Sequence, residues 1–194
     1  MKAKNIELVG ENHMTNIFKS SLSNILDLFY PHLCLHCSSK LEKNHFYFCK
    51  ICLNDFSYLE VRDNVSTYAV FENMGCIKTL LKEIKTQKIL SITKITAAFI
   101  VVQHFRLKWP LPDVIYPMHN SLIKDHQYYL SKEVSLFLKR PMKKKQNLSK
   151  VALIVFDVLN IEKMNQIKEK LLFKKVYAIG LCFDVLFDDF DLLL

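Results

Sequence analysis

The sequence predicts an α/β fold, a mostly parallel sheet with helices on both faces, preceded by a small cysteine-bound module. Three features predict it. From Thr67 onward, short strand-like runs alternate with segments whose apolar residues recur at helical spacing, and such alternation builds parallel sheets. Val151 to Phe156 is unbroken apolar sequence, as in a central strand covered on both faces. Ahead of this region, two C-x-x-C pairs, Cys34/Cys37 and Cys49/Cys52, flank residues 38–48.

The elements follow in order. Residues 1–31 form a polar lead-in and a short amphipathic helix, with Leu22, Ile25, Leu26, Leu28 and Phe29 on one side and Pro31 as its stop. Residues 32–59 form the four-cysteine module, and Glu60 to Ser66 is a polar joint. The α/β domain covers 67–183. Thr67–Phe71 reads as a strand, Ile77–Ile84 as an amphipathic helix, and Ile92–Leu107 as a second helix. Trp109-Pro110-Leu111-Pro112 stops the chain before a short strand at Asp113–Tyr116. A helix at Tyr128–Leu138, a basic loop at Lys139–Lys150 and the central strand come next. A helix at Ile161–Phe173 and a last strand at Lys175–Phe183 complete the domain, leaving an acidic-aliphatic tail at 184–194.

With 51% hydrophobic and 24% charged residues among 194, the chain can bury a core without disulfides. The net charge of +8 favours acidic partners, nucleic acid or phosphorylated ligands first. The start of the chain lacks the apolar core of a signal peptide. The longest apolar stretch, Ile95–Phe105, is interrupted by Thr96, Gln103 and His104 and is too short for a membrane span. A cytoplasmic setting is therefore expected, where thiols stay reduced and clustered cysteines hold metal. Glycine is scarce, at Gly10, Gly75 and Gly180 only. Phosphate-cradling loops use glycine to turn backbone amides inward, so this scarcity argues against a nucleotide-binding loop.

Each C-x-x-C turn lets two thiolates converge on one ion, and two such turns complete a tetrahedron. Cys34, Cys37, Cys49 and Cys52 are therefore the expected ligands of one structural zinc, with no position left for water. His32, His36 and His45 lie nearby as possible substitutes. Redox chemistry is the rival reading of a C-x-x-C pair, and the doubling argues against it. Cys76 and Cys182 read as small buried hydrophobes.

The order of these parts resembles the competence-protein F (ComF) family, a zinc knuckle fused to a phosphoribosyltransferase-like domain. The resemblance rests on Ile25-Leu-Asp-Leu-Phe-Tyr-Pro31, the paired knuckles, Tyr68-Ala-Val-Phe71, and Ile77-Lys-Thr-Leu-Leu-Lys-Glu-Ile-Lys85. Val114-Ile-Tyr-Pro-Met-His119 and Val151-Ala-Leu-Ile-Val-Phe-Asp-Val158 follow in the same order, so it covers roughly residues 24 to 183. It implies a part in DNA uptake during natural transformation, or an amidophosphoribosyltransferase-like activity with Mg²⁺ as cofactor. Lys85 and His119 match family positions, and Asp157 matches one of two acids that follow the central strand.

The departures are specific. Phe156 replaces the first acid, and the turn Val158-Leu-Asn-Ile-Glu-Lys-Met164 lacks glycine, serine and threonine. Glu162 would repel a phosphate in the first helical turn. The family's Arg-Gly-Phe-Asn-Gln stretch is His126-Gln-Tyr-Tyr-Leu130, which shares only an aromatic. Asp157 is the expected ligand group at the carboxyl edge of the sheet, with a turn-forming role equally open. Lys78, Lys82 and Lys85 read as a solvated helix face. Lys143, Lys144 and Lys145 read as possible contacts to a nucleic-acid backbone.

The leading expectation is a non-catalytic, ComF-like accessory protein of DNA uptake whose partner is DNA or a DNA-processing protein. A divergent phosphoribosyltransferase acting on a phosphoribosyl substrate is the alternative, and a vestigial protein-binding domain the third.

Overall fold

The computed structural model describes residues 32–86, 90–118, 125–144 and 146–184. The expected helix at 22–29, His119, Lys145 and the tail beyond Asp184 lie outside these ranges. Two compact units meet at Leu53/Asn54, earlier than residue 59. The aromatic residues just after the boundary explain the difference. Tyr58 bridges Phe71 in antiparallel fashion, and the Phe56 and Tyr58 rings lie 5.4 and 4.6 Å from that of Phe71.

Among its described residues the first unit is a turn-rich module with one short helix, α1 (Lys50–Asn54). Leu33 and Lys40 form an antiparallel bridge, closed by Cys34 N–H donating to Ser39 O and Ser38 N–H donating to Cys34 O. Ser38 adopts a left-handed φ of 59° to make this turn. Leu41 and Phe48 are the large buried side chains beside the cysteines.

The second unit runs β1 (Thr67–Phe71), α2 (Cys76–Thr86), α3 (Leu90–Arg106), β2 (Val114–Ile115), α4 (His126–Leu138), β3 (Asn147–Leu159), α5 (Ile161–Lys170) and β4 (Phe173–Phe183). The strands form one sheet in the order β1-β4-β3-β2, and every pair is parallel. From Val176 to Phe183 each residue of β4 is buried, so both sheet faces are covered, as the apolar runs require. Alternation along β3 divides the helices. Asp157 is bonded by residues of α4, whereas its neighbours Phe156 and Val158 line a cleft with α5. Helices therefore pack on both faces.

Local chemistry sets the helix ends. Asp125 caps α4, its carboxylate accepting from Tyr128 N–H, and Lys139 ends the helix in the left-handed region. Asn160 caps α5 by accepting from Lys163 N–H. Several boundaries differ from expectation: β3 runs on to Leu159, so Val158 and Leu159 of the expected turn are strand, and β4 begins at Phe173. Two of the differences have clear causes. The loop expected to reach Lys150 ends early, because β3 begins at Asn147 and pairs there with Phe173. The helix expected to reach Phe173 stops at Lys170, because Leu172 N–H is taken by Gln146 Oε1 and Phe173 joins the sheet. The core holds Phe71, Ile77, Leu80, Ile84, Ile92, Ile100, Leu153 and Ile154, all fully buried. Cys76 and Cys182 are fully buried as well.

Candidate functional site

Each unit carries one candidate centre. In the first, the turn after Leu33 places Cys34 and Cys37, and the start of α1 places Cys49 and Cys52. Their four Sγ atoms all lie within 4.8 Å of one another, and Cys37 and Cys49 are 3.6 Å apart. A tetrahedral ion with metal–sulfur bonds of about 2.3 Å needs sulfurs separated by about 3.8 Å, so the donor set fits one metal ion after a small contraction. Cys34 and Cys52 are buried and Cys37 is exposed.

The surroundings favour thiolates. Burial alone would raise the Cys34 thiol, but backbone N–H groups of Cys37, Cys49 and His36 outweigh it and lower the pKa. The Ser39 hydroxyl, 3.1 Å from its sulfur, lowers that of Cys37. Cys52 N–H, 3.5 Å from the Cys49 sulfur, lowers that of Cys49. Such amide-to-sulfur bonds orient the ligands as well as holding them ionised. A tetrahedral ion held by all four sulfurs would have no open position for a reacting molecule. His45 sits 3.9 Å from Glu42.

The second centre lies at the carboxyl end of β3. Asp157 is 5% exposed. Its Oδ2 is 3.0 Å from His126 Nε2 and 3.6 Å from Lys85 Nζ, and its Oδ1 accepts from Gln127 Nε2 at 2.9 Å. Burial pushes its pKa up, yet the bonds from Gln127 and Val158 N–H and the nearby His126 overcome that and hold it below its ordinary value. The carboxylate is thus charged and engaged by side chains from α2 and α4. Beside it, Met118, Phe156, Val158, Leu159, Met164 and Ile167 form the apolar part of a cleft of about 610 Å³. Gln127, Asn160, Glu162, Lys163, Gln166 and Asp184 supply its polar part.

Among the residues singled out from sequence, the structure brings Lys85 to Asp157 and gathers the four cysteines. His119 and Lys145 lie outside the described residues. Lys143 and Lys144 are exposed, but their segment is not a free loop. Ile115 N–H donates to Pro141 O, and Lys143 N–H donates to Ile115 O, so it runs beside β2. Sequence reasoning missed His126 and Gln127 as partners of Asp157. Two polar residues opening a helix carry no pattern of their own, and only the approach of α4 to the end of β3 gives them meaning.

No family model matches the chain, and none of the curated proteins matches it significantly. No helix among the described residues is long and apolar enough to cross a membrane.

Proposed function

We propose that this protein is a non-catalytic accessory factor of DNA uptake or processing, similar in organisation to the ComF family, with one structural zinc held by Cys34, Cys37, Cys49 and Cys52. The engagement of Asp157 carries this reading. In a phosphoribosyltransferase the acid at this strand end must be open to ribose hydroxyls. Here Gln127, His126 and Lys85 occupy both carboxylate oxygens. The α5 turn supports the same conclusion. The Asn160 side chain already takes Lys163 N–H, an amide a phosphate would need, and Glu162 occupies the first helical turn. The basic composition and the exposed Lys143 and Lys144 support an acidic partner, with DNA the leading one.

Titration calorimetry with phosphoribosyl pyrophosphate and Mg²⁺ tests the non-catalytic part. The expected result is no heat beyond dilution. Micromolar binding abolished by Asp157→Ala would establish the alternative, a divergent phosphoribosyltransferase.

A further inference from the structure

The basic segment that follows α4 contains an arginine that the fold holds firmly and leaves without a partner. Residues 134–144 carry Lys139, Arg140, Lys143 and Lys144 and no acid. Arg140 is half-buried, whereas the three lysines are exposed. Its Nε is sealed from solvent and meets no hydrogen-bond acceptor. None of the ion pairs among the described residues includes it. A buried donor left in this way is rare in a fold, and a charged one is costly to leave unmatched.

Backbone bonding fixes the arginine in place. Lys139 turns through the left-handed region. Arg140 N–H then donates to Ser135 O at 3.0 Å, and Ser135 Oγ donates to Arg140 O at 2.7 Å. Just beyond, Pro141 O accepts from Ile115 N–H at 3.0 Å, and Lys143 N–H donates to Ile115 O at 3.1 Å. Arg140 is therefore held between the end of α4 and the edge of β2. Helix capping falls to the backbone, because the Ser135 and Leu136 carbonyls accept from the N–H groups of Arg140 and Lys139. The guanidinium is left for another acceptor.

The chemistry of the group selects that acceptor. A guanidinium is a planar fork of donors that matches the oxygens of a phosphate or a carboxylate. A polyanion gains from each cation of the segment, whereas a single carboxylate gains from one. Enclosure of Nε also leaves the side chain little freedom to lose on binding, which favours affinity. We propose that Arg140 is a phosphate-binding residue, its guanidinium gripping one phosphate while Lys139 and Lys143 attract the charges beside it. The identity of the polyanion rests on the DNA reading above, under which the phosphate belongs to a nucleic-acid backbone.

The enclosed Nε–H supplies the test, since a proton shielded from solvent exchanges slowly enough to be followed by NMR. The full-length, isotope-labelled chain is titrated with inorganic phosphate and, separately, with a single-stranded oligonucleotide of about ten nucleotides. The Arg140 Nε–H peak, assigned by its loss in Arg140→Lys, is expected to shift saturably with both. Arg140→Lys keeps the charge and loses the fork. It should weaken oligonucleotide binding about tenfold, with an unchanged salt slope and the parent's circular dichroism spectrum. A peak that stays still while anisotropy shows the oligonucleotide bound would overturn the proposal and leave the DNA reading standing. A lysine variant that binds like the parent would overturn it equally. A peak moved by inorganic phosphate, with no oligonucleotide bound, would support the phosphate site and overturn the DNA reading. A peak that neither probe moves, with no binding by anisotropy, would overturn both.

Discussion

At the scale of single residues, a few groups decide stability and chemistry. Cys34→Ser and Cys49→Ser are each expected to abolish stoichiometric metal and to lower the yield of soluble protein, because a module of this size has little core without its ion. Elemental analysis of tag-free protein should find one zinc per chain in the parent and well under one in each variant. Asp157 has a different role. Its folded pKa is depressed, so its contribution is present above about pH 4 and is lost as pH falls through the folded value. Asp157→Ala leaves His126, Gln127 and Lys85 without their common acceptor. It should destabilise the fold by roughly 1–3 kcal/mol in urea denaturation at pH 7. His104 acts over another range. It is fully buried, neither ring nitrogen has a hydrogen-bond partner, and burial holds its pKa at about 4. The unfolded chain takes up this proton near pH 6.5. Stability is therefore complete above that pH and declines toward pH 4, by about 3 kcal/mol in all. His104→Leu should flatten this part of the pH–stability profile measured by urea titration.

At the scale of elements, the central strands were legible where sequence is redundant. Val151–Phe156 and Lys175–Phe183 combine apolar continuity with β-branching, and both lie within the observed strands β3 and β4. The ends were less legible because distant partners set them. Gln146 Oε1 takes Leu172 N–H, and no window of sequence around residue 172 contains that information. Cys34, Cys37, Cys49 and Cys52 could be read directly, since ligand type and spacing are local. The partners of Asp157 could not, because Lys85, His126 and Gln127 meet it only through packing of α2 and α4 on the sheet. One close approach between strands gives a direct check. A Cβ on Gly180 in β4 would lie 2.7 Å from Leu159 Cβ and 3.3 Å from Cys182 O, with neither neighbour able to move aside cheaply. Gly180→Ala is expected to lower stability by about 1–3 kcal/mol, read as a lower urea midpoint with unchanged m-value.

At the scale of the whole molecule, the chain divides into two compact units. The cysteine module gathers four sulfurs within 4.8 Å of one another, and in the α/β unit Asp157, near the end of β3, is engaged by His126, Gln127 and Lys85. The proposed binding role is that of a chain of net charge +8. Fluorescence-anisotropy titration of single- and double-stranded DNA at several salt concentrations tests that role most directly. Lys143, Lys144 and Lys145 should neutralise phosphates and release counterions. Replacing all three with alanine should weaken binding and reduce the log–log salt slope by about one for each lost contact. Lys78→Ala with Lys82→Ala is the control; Lys85 is left out of it because its ammonium faces Asp157. The account predicts salt-dependent binding by the parent, weakened in the 143–145 variant and retained in the control. Absence of binding by the parent near physiological salt, or a 143–145 variant that binds like the parent, would contradict it.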